Sequence, residues 1–224
     1  PQLLLEEGPV TPIPDGLAYD EAALAEPLAC AVNGLEIVNM SLGKTVVLLG
    51  LGPIGCMMID LARAMGALKV IGVQRSRKRM EIARAYKADV YIASEEQDVV
   101  ARCLEETGGC GPDVVITTCG TVEAHEQAID MVAHRGYVNL FGGLPKDARP
   151  ASIPSNTIHY KECFVTGSHG SVPRQHELAV SLIHTGKVRV RPVITHTFPL
   201  SGIHEAFEVM ESRKGMKIMI HPHD

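Results

Sequence analysis

The chain has 224 residues and a formal net charge of −5, long enough for one large domain, or for one domain with part of another, and for a substantial buried core. The negative balance, with no dense Lys/Arg face, argues against nucleic acid as a partner. No apolar run approaches the ~20 residues that span a bilayer, and no leader-type segment opens the sequence, so no membrane partner is expected and a cytoplasmic location is.

Residues 1–16 carry Pro9, Pro12 and Pro14 with little periodicity, which predicts a loop and an edge strand. The opening Pro1-Gln2-Leu3 lacks an initiator Met, which suggests a fragment or a processed chain. Asp20 is placed to cap a helix through Ala22, Ala23 and Leu24, and Pro27 suits the first turn of a second helix ending near Met40. A turn over 41–44 then leads into Thr45–Leu49, an unbroken apolar run that reads as a strand buried on both faces.

Directly after that strand come Gly50-Leu51-Gly52-Pro53-Ile54-Gly55 and then apolar residues at helical spacing as far as Gly66. In this G-x-G-x-x-G arrangement Gly50 allows a tight turn, Gly52 lets the backbone approach a pyrophosphate and Gly55 lets the helix pack close to the strand. The helix start around Pro53 and Ile54 offers N–H groups and the positive dipole end to phosphates. A second strand over 68–73 closes the βαβ unit within about 30 residues, as a dinucleotide fingerprint requires.

Further along, Ser76 is set to cap a helix through Tyr86, a third strand covers 88–92, and helices over 97–107 and 122–133 alternate with strands over 113–118 and 136–141. Cys163–Gly167 supplies a sixth strand. Strands alternating with helices of this length predict an α/β protein of Rossmann type, a doubly wound parallel six-stranded sheet. From Pro173 the pattern shifts to a helix, a strand over 193–196, a helix over 203–212 and a last strand over 216–220; His221-Pro222-His223 reads as an exposed tail. The expected division is 1–32 and 168–224 as two pieces of an incomplete second domain around a dinucleotide domain at 33–167. The six cysteines are scattered with no C-x-x-C pair, which favours buried free thiols.

The second strand ends at Gln74, where an NAD site usually has an acid on the ribose hydroxyls. A neutral Gln74 followed by Arg75 and, one helical turn on, Arg79 suits a 2′-phosphate, which guanidinium groups bind with charge-assisted hydrogen bonds. NADP(H) is therefore favoured over NAD(H). The strand tips Cys119-Gly120, Phe141-Gly142-Gly143 and the segment containing His169 should line the cofactor cleft, because ligands of open α/β sheets bind beyond the carboxyl ends of the strands.

Glu26-Pro27-Leu28-Ala29-Cys30, the glycine fingerprint and Val193–Leu200, in that order, resemble the zinc-dependent medium-chain alcohol dehydrogenase family, and within it the polyol (sorbitol-type) and threonine dehydrogenase branch. The resemblance implies that the incomplete domain is GroES-like and that Glu26 is a ligand, or near-ligand, of a catalytic zinc. It implies hydride transfer between NADP(H) and a small alcohol or polyol, sorbitol-like or threonine-like, in a homodimer or homotetramer joined through the sheet edge near 163–168. The family's remaining zinc ligands have no counterpart here, so the chain is expected to bind NADP(H) without turning over. A zinc-free quinone or enoyl reductase of the same superfamily and a noncatalytic dinucleotide-binding module are the alternatives.

Overall fold

In the computed structural model, which describes residues 10–222, β1 (Thr45–Leu49) lies at the centre of a six-stranded sheet. Its alternation is used on both faces. Val46 and Leu48 join one fully buried cluster and Val47 and Leu49 the other, so the strand needs an apolar partner above and below it. Each such side chain contributes roughly 1.5–3 kcal/mol by leaving water.

Around β1 the other strands are β2 (Lys69–Gln74), β3 (Val90–Ala93), β4 (Val114–Thr117), β5 (Tyr137–Leu140) and β6 (Phe164–Gly167), all parallel and in the order β3-β2-β1-β4-β5-β6. The chain leaves β1 toward β2 and β3, then returns to start β4 on its other side. That reversal puts a crevice beyond the carboxyl ends of β1 and β4. One face is covered by α2 (Ala25–Glu36), α3 (Pro53–Ala64) and α8 (Pro173–His184), the other by α5 (Val99–Glu106) and α6 (Val122–Met131), with Ile158 of α7 (Ser155–Lys161) packed beside them. The expected α/β fold with a parallel six-stranded sheet is the fold observed. Among the described residues no helix is long and apolar enough to cross a membrane, and all six cysteines are free thiols, with Cys110 exposed.

Several local expectations are corrected. Asp20 does not cap a helix: it lies inside the short α1 (Tyr19–Ala22), whose N-cap is Ala18. Its carboxylate Oδ1 instead meets His221 Nε2 at 2.8 Å. His221 is accordingly the last residue of a strand and no exposed tail, while His223 and residues 1–9 lie outside the described residues. The second helix stops at Glu36, short of Met40, because Asn39 takes a left-handed φ of +51° and the Met40 N–H turns back to Leu35 O. Ser76 precedes α4 (Arg77–Ala83) without a side-chain capping bond.

The packing also runs across the expected divisions at 32/33 and 167/168. α2 is continuous through residue 32, and α8 buries Ala179, Val180 and Ile183 in the same cluster as β1 and α2. Arg174 of α8 donates to both carboxylate oxygens of Glu36 at 3.0 and 2.7 Å, and the arginine holds that carboxyl below its ordinary range. The segment from β7 (Ile194–Pro199) through α9 (Ile203–Glu211) to β8 (Lys217–His221) forms a separate two-stranded parallel sheet with its crossover helix, and its Ile194 and Met216 pack against that same cluster.

Arg189, just after α8, ties this end of the chain to α3. Its Nε and one terminal nitrogen each donate at 2.8 Å to the two carboxylate oxygens of the buried Asp60, its backbone N–H adds a third bond, and the guanidinium sits 5.3 Å over the Tyr86 ring. Asp60→Ala removes three hydrogen bonds of Arg189, leaving its guanidinium the one to Ala85 O at 2.7 Å, and is expected to cost about 2 kcal/mol in urea unfolding, the range for hydrogen bonds to charged groups. An unchanged midpoint would mean the pair contributes nothing.

Candidate functional site

The site begins where β1 ends. Gly50 has φ +111°, a conformation that L side chains rarely adopt, and its N–H donates to Val73 O at 2.9 Å. A Cβ on Gly55 would stand 2.0 Å from Gly50 O, so the first turn of α3 rests directly on the strand end. Gly52 is the N-cap of α3, and a Cβ there would meet nothing within 4 Å. Pro53 occupies the first helical position, where its missing N–H costs nothing. The helix therefore points the N–H groups of Ile54 and its neighbour Gly55, which have no intrahelical partner, toward the open side of Gly52.

The tip of β4 locks onto this turn. The Thr118 backbone N–H donates to Leu49 O at 2.9 Å, and its hydroxyl donates to Leu49 O and Gly50 O. Gln74, buried at the end of β2, uses both ends of its amide: Nε2 donates to Leu51 O at 3.2 Å and Oε1 accepts from the Arg75 N–H at 2.8 Å. The amide braces the glycine turn against β2.

Between these elements opens a cleft of about 740 Å³ at the carboxyl ends of β1 to β4, and Gly50, Gln74, Arg75, Arg79 and Cys119 all line it. Burial pushes the Cys119 thiol up, so it stays neutral. The charges in the cleft are not balanced. Arg75 Nε donates to Glu95 Oε1 at 2.9 Å, and the other lining carboxylate, Glu123, lies 3.9 Å from Arg149. The half-buried Arg79 and the exposed Arg213 have no hydrogen bond or ion pair from their guanidinium groups among the described residues.

Other expected site residues sit elsewhere. Gly120 and Gly142 pack backbone to backbone: a Cβ on Gly120 would stand 2.1 Å from Gly143 O, and one on Gly142 would stand 2.7 Å from the Cys119 carbonyl carbon. These glycines hold the β4 and β5 tips together, and a Cβ on Gly143 itself would meet open space. Phe141 turns its ring toward α2, where it lies against Gly34, and so belongs to the core under the cleft. His169 is exposed just past β6.

Glu26 is exposed in the first turn of α2 and accepts a hydrogen bond from the Cys30 thiol at 3.4 Å. Burial, and then the Glu26 carboxylate, hold that thiol above its ordinary value. No group of three His, Cys, Asp or Glu among the described residues could hold a metal ion. A tetrahedral zinc site needs at least three protein ligands, so the residues present do not fit one by themselves.

Sequence reasoning passed over Glu95, Thr121 and Arg213. Glu95 follows β3 and Thr121 caps α6, so the rule that strand tips line the crevice could have found both. Arg213 reaches the cleft from the distant α9–β8 turn, and nothing in its neighbourhood signals that.

Compared with known proteins, residues 53–185 match the family model described as zinc-binding dehydrogenase. A sorbitol dehydrogenase of Halalkalibacterium halodurans is 31% identical over 95% of this chain and 62% of its own, and an L-threonine 3-dehydrogenase of Bacillus licheniformis is 32% identical over 93% and 60%. A Sinorhizobium meliloti protein solved bound to NADP superposes with a TM-score of 0.85 at 29% identity, over 94% of this chain and 61% of that one. The chain thus spans about three fifths of the length of these relatives.

Two glycine substitutions separate the roles in the turn. Gly55→Ala drives a methyl group into Gly50 O and is expected to destabilise the fold by about 1–3 kcal/mol, the usual cost of overpacking. Gly52→Ala adds its methyl to open space and should leave the unfolding midpoint within about 0.5 kcal/mol of the parent. Equal effects in a denaturant titration would refute this division.

Proposed function

The chain belongs to the zinc-binding dehydrogenase family, and on that premise we propose that it is the dinucleotide-binding portion of an oxidoreductase moving a hydride between NADP(H) and an alcohol or polyol. The single observation carrying the cofactor choice is the end of β2, which has an amide in place of an acid: Gln74 is neutral, Arg75 follows it, and Arg79 lines the cleft with no counter-ion among the described residues. A phosphate monoester brings close to two negative charges at neutral pH, which guanidinium groups meet with paired hydrogen bonds. The pyrophosphate would lie over the open side of Gly52 at the α3 N-terminus, and the adenosine half between Gln74 and Thr121.

The dinucleotide, when bound, would accept the hydride from the alcohol, or return it in the reverse direction. The chain's own part is to hold it: α3 neutralises the phosphates, the glycine contacts between the β4 and β5 tips fix the floor toward the nicotinamide, and Phe141 supports that floor from below. The relatives named sorbitol and threonine dehydrogenases support an alcohol substrate bearing further polar groups. Glu26 contributes one metal ligand at most, so no step is assigned to a metal here, and the chain by itself should bind cofactor without turnover.

We assign the same reading to the partner surface. Among the described residues the outer edge of β6 is unpaired, Phe164 is half exposed there and stacks on Tyr137 at 4.7 Å, and a second copy would extend the sheet across that edge. Sedimentation should give a dimer or tetramer for the chain and a monomer for Phe164→Lys. A monomeric parent would sink the assignment.

Titration with NADPH and NADH, read by nicotinamide fluorescence and melting temperature, tests the cofactor. At a hundredfold excess over Kd a native-state ligand adds about 2.7 kcal/mol of stability. NADPH should bind tighter, and Arg79→Ala should erase the preference with the NADH affinity retained. Binding of NADH alone would overturn the 2′-phosphate reading.

A further inference from the structure

We propose that Arg213, in the turn between α9 and β8, is a phosphate-binding residue of the dinucleotide cleft and couples the small C-terminal sheet to cofactor binding; this rests on the cofactor reading above. Among the described residues Arg213 is the one lining residue contributed from beyond α8, all the others coming from the strands of the six-stranded sheet, the helices that cover it and the turns between them. Its backbone has φ +54°. That alone singles out nothing, since Lys87 and Glu162 take the same left-handed conformation at the ends of their helices. The difference lies in where the side chain goes.

Charge carries the argument. Five charged side chains matter: Arg75, Arg79 and Arg213 line the cleft beside the carboxylates of Glu95 and Glu123. Glu95 is engaged by Arg75 and Glu123 lies within ion-pair reach of Arg149, which also grips Glu126 at 2.7 Å. Among the described residues Arg79 and Arg213 line the cavity with no carboxylate in ion-pair contact. Two uncompensated guanidinium groups in one cleft repel each other and are relieved by an anion between or beside them. The cleft that both line is also lined by Gly50 at the glycine turn and Gln74 at the end of β2, where a dinucleotide would place its pyrophosphate and its 2′-phosphate.

The test compares NADPH and NADH affinities of the chain with those of Arg213→Gly and Arg213→Lys, together with melting temperatures without ligand. Gly suits a left-handed φ, so Arg213→Gly should melt at or above the parent temperature, and any lost affinity is then not lost folding. It should weaken NADPH binding about tenfold, one charge-assisted contact, with Lys restoring part of it. Weakening for NADPH alone assigns Arg213 to the 2′-phosphate, and equal weakening for both cofactors assigns it to the pyrophosphate; either supports the proposal. Unchanged affinities in Arg213→Gly, with the parent binding normally, overturn it and leave the cofactor reading standing. If the parent binds neither cofactor, the cofactor reading fails first and this proposal with it.

Discussion

The contact on which the structure depends is the one between Gly55 and the carbonyl of Gly50. With only a hydrogen at that position, α3 starts against the end of β1 with no side chain between them. Any Cβ would push the helix away, and three things would go with it. The helix N-terminus would no longer point at the crevice, the Thr118 hydroxyl would lose Gly50 O, and the bridge from Gln74 to Leu51 would stretch. The phosphate-facing geometry and the joints between β1, β2 and β4 are thus one packing fact.

A second dependence runs through α2. Its Gly34 carbonyl accepts from Asn139 Nδ2 at 2.9 Å, and the same amide group exchanges hydrogen bonds with the Ser168 hydroxyl just beyond β6. Asn33 Nδ2 donates to Gly170 O, while Asn33 Oδ1 accepts from Gln175 of α8. Polar groups buried at the junction of helix and sheet are therefore satisfied by one another. The consequence is that α2 belongs with the sheet it covers. The expected division at residue 32 follows motif boundaries, whereas the packing follows the hydrogen bonds and the apolar face of the helix.

Most of the fold was legible because its signals are local. An unbroken valine–leucine run, glycines at set spacing and strand–helix alternation are written within a few residues of each other, and all six strands of the main sheet fall where the pattern put them. What stayed hidden depended on residues far apart in sequence. Nothing near Asp20 or His221 announces a bond across 201 positions, and nothing near Arg213 announces the cleft. Phe141 shows the same limit at short range. Its place at a strand tip is readable, but which way the ring turns depends on the absence of a side chain at Gly34.

The identity of residue 74 links rigidity to cofactor choice. An amide both donates and accepts, and Gln74 uses each capacity once, toward Leu51 O and from the Arg75 N–H. A carboxylate in its place could accept from Arg75 but could not donate to Leu51, so the glycine turn would lose its brace to β2. It would also place a negative charge beside the arginines that face the cleft. The neutral amide keeps the turn tied down and leaves the local potential positive. Stiffness of the phosphate-binding turn and tolerance of an extra phosphate therefore come from the same side chain, and selection for either would preserve both.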